Sequence, residues 1–448
     1  MKLLRSIALC AAIAIGIGTM TVAAGAQSSN EQPHATDVGI TPTEIHVAVI
    51  ADVDTPLAPD LFKTSVDAVK GWARYVNSKA GGGGLAGRKV VVDFYDSKLN
   101  PTQTRNAEIT ACGTDTAMIG TSAVFLTSVE EMRSCKDATG AVTGIPDIPF
   151  LTAALAQQCS DQSFPIVPPQ IICSTATQHP QTYQANVARG YYYQAAQGKD
   201  LHGIYTFPNQ PTSAHDSQVA SLGALQVIGV KSDDDFDIAP RATQLEWAPM
   251  VQTMKSKGSN YGQCSAEFQC TVNLRKEAAL QGVTGVKVWD CWTACYDRQF
   301  LQGGGSDVEG EYVDTQFMPF YNKADLKANP MLASFVKYTG PDKAASFGIF
   351  GWAAGVAFAQ AVDAQVKAAG INSVTRKTIF EQLDKIGRFD AQGILAPIDL
   401  AGRRVSSCTV VNQVKNGKFV RVQPAKAGTL YCPKNGRITR RLDLIGKS

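Results

Sequence analysis

Apolar positions along the chain follow two alternating periods. Ile45-His46-Val47-Ala48-Val49-Ile50 is a β-branched run and predicts a buried strand. Phe62, Val66, Val69, Ala73 and Val76 then recur at helical spacing, which predicts an amphipathic helix over 61–79. The glycines at 81–84 stop it, and 89–95 reads as a second strand. Pro101 opens the next helix at a position where its missing N–H costs nothing, and this helix runs to about Cys112. A strand at 118–120, a helix at 127–137 and a strand at 148–151 complete this stretch.

The segment 157–179 breaks the alternation. It holds Cys159, Cys173 and Pro165, Pro168 and Pro169, and reads as a stapled surface insertion. The pattern then restarts: helix 180–197, strand 202–206, helix 212–223, strand 225–229, helices 242–257 and 272–281, strand 285–289 and helix 293–302. A strand at 311–317 and long helices at 345–369 and 373–387 follow. Asn416-Gly417 between 404–414 and 418–424 is a strong hairpin signal. Strand alternating with helix implies parallel sheets covered on both faces. Because the alternation restarts, the expected class is α/β with two doubly wound lobes. Gly81–Gly84 follow a helix and open a strand, the reverse of a phosphate-cradling loop, and read as a tight turn.

Composition adds the compartment. Lys2 and Arg5 precede an apolar run from Ser6 to Ala24, and Ala24-Gly25-Ala26 closes it with small residues, the pattern of a signal peptide cut after Ala26. The chain is therefore expected to be exported: periplasmic, in the cell envelope or secreted. Removing that segment from 448 residues leaves enough chain for two lobes. Cys10 lies too early for a lipid-anchored cysteine. A second apolar stretch of about 20 residues is not expected, so neither is a membrane span. The net charge of +3 and the short basic run Arg437–Arg441 give no nucleic-acid footprint, and that run reads as a solvated terminus.

Of the 11 cysteines, Cys10 leaves with the signal peptide, and the even number that remains in an exported chain favours disulfides. The spacings suggest neighbouring pairs: Cys112–Cys135, Cys159–Cys173, Cys264–Cys270, Cys291–Cys295 and Cys408–Cys432, of which the middle four could be exchanged. The spacings are too wide for a zinc site, and the 5 histidines are scattered. No Gly-x-Ser-x-Gly elbow, His-Glu-x-x-His or P-loop occurs, so neither catalysis nor a cofactor is expected. Asp233-Asp234-Asp235 lacks the spaced ligands of a calcium loop and reads as a solvated turn.

Several local motifs carry a resemblance. The first helix ends Tyr75-Val76-Asn77-Ser78-Lys79-Ala80-Gly81-Gly82; Gly84-Leu85-Ala86-Gly87-Arg88-Lys89-Val90 leads into a strand ending Asp93-Phe94-Tyr95-Asp96-Ser97. Asp307-Val308-Glu309-Gly310 precedes the strand at 311–317, and Phe350-Gly351-Trp352-Ala353-Ala354 lies in a long helix. In these features the chain resembles the type I periplasmic binding proteins, the branched-chain amino-acid (Leu/Ile/Val) type of substrate-binding protein for ABC importers. The resemblance implies two Rossmann-like lobes joined by a hinge. It places lobe 1 at 42–178 and 312–400 and lobe 2 at 179–311 and 401–430, with a disordered leader at 27–41 and a tail at 431–448. It further implies a small-molecule ligand captured in the interlobe cleft and an ABC permease as partner. The alternatives are a secreted ligand sensor for a signalling receptor and a true branched-chain amino-acid binder.

In such a fold ligands meet the loops beyond the carboxyl ends of the strands. The candidate ligand-binding residues are Thr55, Ser122, Ala123, Val124, Thr152, Ala153 and Leu155 in the first lobe, and Asn209, Trp289, Asp290 and Trp292 in the second. The sequence departs from an amino-acid site here. The family's serine and threonine fall near Val124 and at Leu155, which offer a carboxylate nothing, and its acidic residue falls near Trp292. The expected ligand is apolar or weakly polar, with Trp289 and Trp292 as stacking surfaces and Asp290 or Asn209 as orienting groups. Trp72, Trp247 and Trp352 lie on apolar helix faces and are expected in the core. The small loops closed by Cys264–Cys270 and Cys291–Cys295 are expected to rim the cleft.

Overall fold

The computed structural model describes residues 31–55, 59–178, 180–210, 212–239 and 242–442. The signal peptide, Cys10, the first residues of the leader (27–30) and the last residues of the tail (443–448) lie outside these. Parallel strands β1 (Glu44–Ala51), β2 (Lys89–Asp96), β3 (Ala117–Ile119) and β4 (Asp147–Ile148) form a first sheet in the order β2-β1-β3-β4. After β5 (Gln181–Asn186), a second sheet takes β6 (Leu201–Pro208), β7 (Val230–Ile238), β8 (Tyr261–Cys264), β9 (Val288–Cys291) and β10 (Tyr312–Thr315), all parallel. A ribbon of β11 (Arg388–Phe389) and β12 (Ile398–Asp399) comes next. The hairpin β13 (Val410–Lys415) and β14 (Lys418–Gln423) then extends the second sheet to the order β14-β13-β10-β9-β8-β6-β7. Its turn residues Asn416 and Gly417 have φ of 53° and 65°, the left-handed pair such a hairpin demands. Strand β15 (Arg437–Leu442) pairs antiparallel with β5.

Helices α1 (Lys63–Asn77), α2 (Pro101–Thr114), α3 (Glu130–Arg133) and α4 (Leu155–Gln158) belong to the first stretch, and α5 (Ala188–Gln197), α6 (Thr212–Val227), α7 (Gln244–Lys257), α8 (Phe268–Leu280) and α9 (Arg298–Gly304) to the second. The chain then supplies α10 (Lys323–Ala328), α11 (Pro330–Thr339), α12 (Ser346–Ala369) and α13 (Arg376–Leu383). Val47 and Val49 of β1 pack with Val66, Val69 and Trp72 of α1 and with Ile349 and Trp352 of α12. Ala48 and Ile50 point to the other face and meet Ala107 and Ala111 of α2 and Met132 of α3. The period-2 alternation of one strand thus serves two helical layers. Trp72, Trp247 and Trp352 are buried, as their helix positions require.

Several expectations need correction. The predicted helix at 180–197 begins as β5, a polar strand whose partner, β15, lies at the far end of the chain. The basic terminus is therefore a paired strand at 437–442, its polar side chains still exposed to solvent. The predicted strand at 225–229 is the end of α6, and the strand is β7, which carries Asp233–Asp235. These carboxylates suit a strand because β7 is the sheet's edge, where alternate side chains meet solvent, and Asp233 is bonded to His202 at 2.7 Å. The leader is ordered by its end: Asp37 is buried and accepts from the backbone N–H groups of Ala138 and Arg376 at 3.0 and 2.8 Å. The helix predicted at 127–137 shrinks to α3. Finally, α12 is 24 residues long and apolar enough to cross a bilayer by composition, but it is mostly buried inside the fold. The five disulfides pair as their spacings suggested.

The approach of α12 to α1 is close because glycines line the contact. A Cβ at Gly351 would sit 2.8 Å from the Ser65 carbonyl oxygen, and one at Gly355 would enter the Trp72 ring. Gly351→Val should therefore overpack the first lobe and cost about 1–3 kcal/mol in urea unfolding with disulfides intact; no change would mean that the two helices separate freely. Glu108, on the α2 face, makes a second prediction. Burial, with Glu131 nearby, pushes its carboxyl up to about 9. The folded state therefore keeps this proton while the unfolded chain releases it near 4.5, so stability falls as pH rises from there toward about 9. The melting temperature of Glu108→Gln should fall less steeply over that window than that of the parent; identical slopes would contradict the assignment.

Candidate functional site

Loops after parallel strands gather at the carboxyl end of a sheet. Here the two sets of loops meet. Trp292, just past β9, lies 6.0 Å from the ring of Phe347 at the start of α12. Phe347 is 5.1 Å from Phe150, past β4, and 5.8 Å from Phe62, past β1. Phe150 stacks on Phe350 at 5.4 Å, and Phe350 meets Phe317 edge-on at 5.6 Å. These separations fall in the favourable range for aromatic pairs. The rims also touch through a hydrogen bond from the Ser213 hydroxyl, in α6, to the Ala153 carbonyl, past β4. Trp292 donates its indole N–H to the Ala266 carbonyl at 2.6 Å, which ties the Cys291–Cys295 loop to the Cys264–Cys270 loop.

The polar side of this region is built on Asp52. Its buried carboxylate accepts from the Ser97 hydroxyl at 2.6 Å and from the backbone N–H groups of Leu99 at 2.6 Å and Val124 at 2.8 Å. It therefore fixes the loop that carries Ser122, Ala123 and Val124. The Ser122 hydroxyl is fully buried and has no protein partner. Leaving such a group unpaired costs roughly 1–3 kcal/mol, which favours any molecule that supplies a partner. Thr55, Ala123, Thr152 and Ala153 are buried in the same set of loops, and Val124 is half-buried.

Other candidates sit elsewhere. Asp290 is withdrawn from any orienting role. It accepts from Arg189 Nε at 2.9 Å, the Tyr193 hydroxyl at 2.7 Å and the Tyr261 hydroxyl at 2.5 Å, all inside the second sheet's helical layer. Burial alone would pull the Arg189 guanidinium down, but Asp290 and its acidic neighbours hold it well above the ordinary range. Trp289 points to the opposite face of β9, where the Arg275 guanidinium lies 4.7 Å over its ring and the α7–α8 core surrounds it. It is a packing residue, not a cleft wall. Leu155 is exposed and lines a surface groove with Val129, Glu130 and Arg133. Asn209 is exposed at the end of β6, its N–H given to the Ile238 carbonyl at 3.0 Å.

Sequence reasoning missed Phe62, Phe150, Phe347, Asp52 and Ser213. Phe62 and Phe150 stood at helix and strand ends and were available as signals. Nothing local marked Phe347, whose contact with Trp292 is made across the fold.

Two wound sheets whose loop ends meet over aromatic rings define a two-lobed binder of small molecules. Residues 44–418 match the family model described as periplasmic binding protein, and the chain belongs to that family. Among solved structures it is similar to an ABC transporter substrate-binding protein from Aeropyrum pernix, with 16% identity, TM-score 0.64, and 88% of this chain and 97% of that one covered. A leucine-binding protein from Thermotoga maritima is similar at 16% identity and TM-score 0.61, over 87% of this chain and 99% of that one. A fatty acid ABC transporter substrate-binding protein from Thermomonospora curvata gives 15% identity and TM-score 0.63, over 87% and 93%. No curated protein sequence matches the chain.

The placement of Asp290 has a measurable consequence. Asp290→Ala strands a buried guanidinium and should cost about 3–5 kcal/mol in chemical denaturation. The affinity of the protein that remains folded should change less than about twofold, as expected for sites without contact. Unchanged stability with lost binding would return Asp290 to the ligand.

Proposed function

We propose that the chain is exported and acts as the solute receptor of an ABC importer, capturing an apolar or weakly polar organic molecule between two lobes and presenting it to a permease. The proposed lobes follow the sequence expectation, 42–178 with 312–400 and 179–311 with 401–430, except that β10 (Tyr312–Thr315) pairs in the second sheet, so the return to the first lobe falls after 315. The observation that carries this reading is the ring contact between Trp292 and Phe347, which joins the loop ends of the two sheets through apolar surface. The ligand-facing set is Ser122, Ala123, Val124, Thr152, Ala153 and Trp292, with Phe150 and Phe347 added. Thr55 and Asn209 lie at its margin.

Closure would draw its free energy from contacts that exist only when both rims hold the ligand. Aromatic walls supply such energy to apolar surface, and Ser122 offers one hydroxyl to a weakly polar end. An α-amino acid also needs a carboxylate for its ammonium, and Asp290 is already spent on Arg189. Of the similar structures named above, the fatty-acid binder therefore fits this cleft better than the leucine binder. Binding requires no bond to break, so no catalytic role is assigned.

Isothermal titration of the mature protein tests this directly. A medium-chain fatty acid or an aromatic acid should bind more tightly than leucine or valine. Trp292→Ala should weaken that binding by about ten- to hundredfold, the effect of truncating a central aromatic anchor. Tight binding of leucine or valine, with none of the apolar acids, would overturn the ligand class.

A further inference from the structure

A cavity lies away from the aromatic cluster. Its volume is about 480 Å³, and it is open to solvent on one side and bounded by the 171–174 segment of the insertion, strands β5 and β15, and the 401–404 loop. Arg403, Arg404 and Arg437 line it, together with the hydroxyls of Ser174, Thr182 and Thr439. No carboxylate lines it among the described residues.

Register explains the charge. Arg437, Thr439 and Arg441 stand opposite Asn186, Gln184 and Thr182, so they share one face of the β5–β15 ribbon. Ile438, between them, turns to the other face and packs on the apolar layer of the second sheet. The arginine face is thus held outward by a half-buried apolar contact. Arg403 is braced by the carbonyls of Ser160 and Ser163. Arg437 is braced by the Val405 carbonyl at 3.1 Å. Arg404 makes a long, solvent-exposed ion pair with Asp399 at 3.8 Å, too far for a hydrogen bond. Guanidinium groups gathered in a concavity repel one another and concentrate field of one sign. Their planar forks match carboxylate and phosphate oxygens.

We propose that this cavity is a binding site for a small oxyanion carrying two or more negative charges, a phosphate or a polycarboxylate. The walls come from chain segments far apart in sequence, so an occupant would cross-link the insertion, the 401–404 loop and the terminal strand. The site is independent of the aromatic cleft and does not require its ligand.

Titration calorimetry on the mature protein at low ionic strength tests the site, with sodium phosphate in one arm, citrate in a second, and sodium chloride at matched ionic strength as the control. At least one oxyanion should bind saturably at one site, and chloride should not. Phosphate alone would assign a phosphate ligand, citrate alone a polycarboxylate, and both a site that reads charge. The double variant R404Q/R437Q should weaken binding about tenfold or more, the loss of charge-assisted hydrogen bonds. Its melting temperature and its titration with an apolar acid should stay at parent values. R404Q alone removes an exposed side chain and should weaken binding severalfold, so the test stands even if the double variant unfolds. No saturable heat with either oxyanion, or parent-like affinity in R404Q, would overturn the proposal.

Discussion

Parallel pairing is the constraint from which the rest follows. A strand that must run beside its predecessor in the same direction sends the chain back through a helix each time. Every loop that leaves a strand's carboxyl end then collects at one edge. The first sheet collects Asp52, Ser122 and Phe150 in this way, and the second collects Ser213, Ala266 and Trp292. The chain passes from one sheet to the other after β4, returns after β10 and crosses again before β13. With these connections the two loop edges meet, and the aromatic contact between Trp292 and Phe347 is the result.

Charge is sorted so that the cleft stays apolar. The second sheet's interior keeps a closed network in which Asp290 serves Arg189, Tyr193 and Tyr261. Glu311 likewise serves Arg275 at 2.8 Å, and its burial still pushes the carboxyl up to about 8. In the first sheet Asp52 is consumed by its own loops. Each of these acids stiffens a strand end or a loop, and each is thereby removed from ligand chemistry. What remains at the meeting point is ring surface and the unpartnered Ser122 hydroxyl, in the loop after β3. Positive charge gathers instead beside the β5–β15 ribbon, at Arg403, Arg404 and Arg437.

Much of this was legible before the structure. The β-branched run of β1 and the helical spacing of α1 are signals carried by neighbouring residues, and both elements form as expected. The disulfide pairs were legible because the cysteines lie close in sequence and even in number. Elements whose cause is distant were not. Gln181–Asn186 is polar and looks unlike a strand, because its register is set by residues at 437–442. The residues of β7 read as a turn because an edge strand has no need of apolar side chains on its outer face. Asp290 was misjudged for the same reason: Arg189 lies 101 residues away, and no local pattern reveals that they pair. The loops after β3, β4 and β9 were found, but which of their side chains face one another depends on packing between the two sheets.

The proposed ligand between the two loop edges is small, apolar or weakly polar, and not an amino acid. The direct measurement is mass spectrometry of the molecules released when protein purified from its native source is denatured. An organic compound with an extended apolar or aromatic body and no α-ammonium group is the expected result. Recovery of leucine, isoleucine or valine in stoichiometric amount would contradict it.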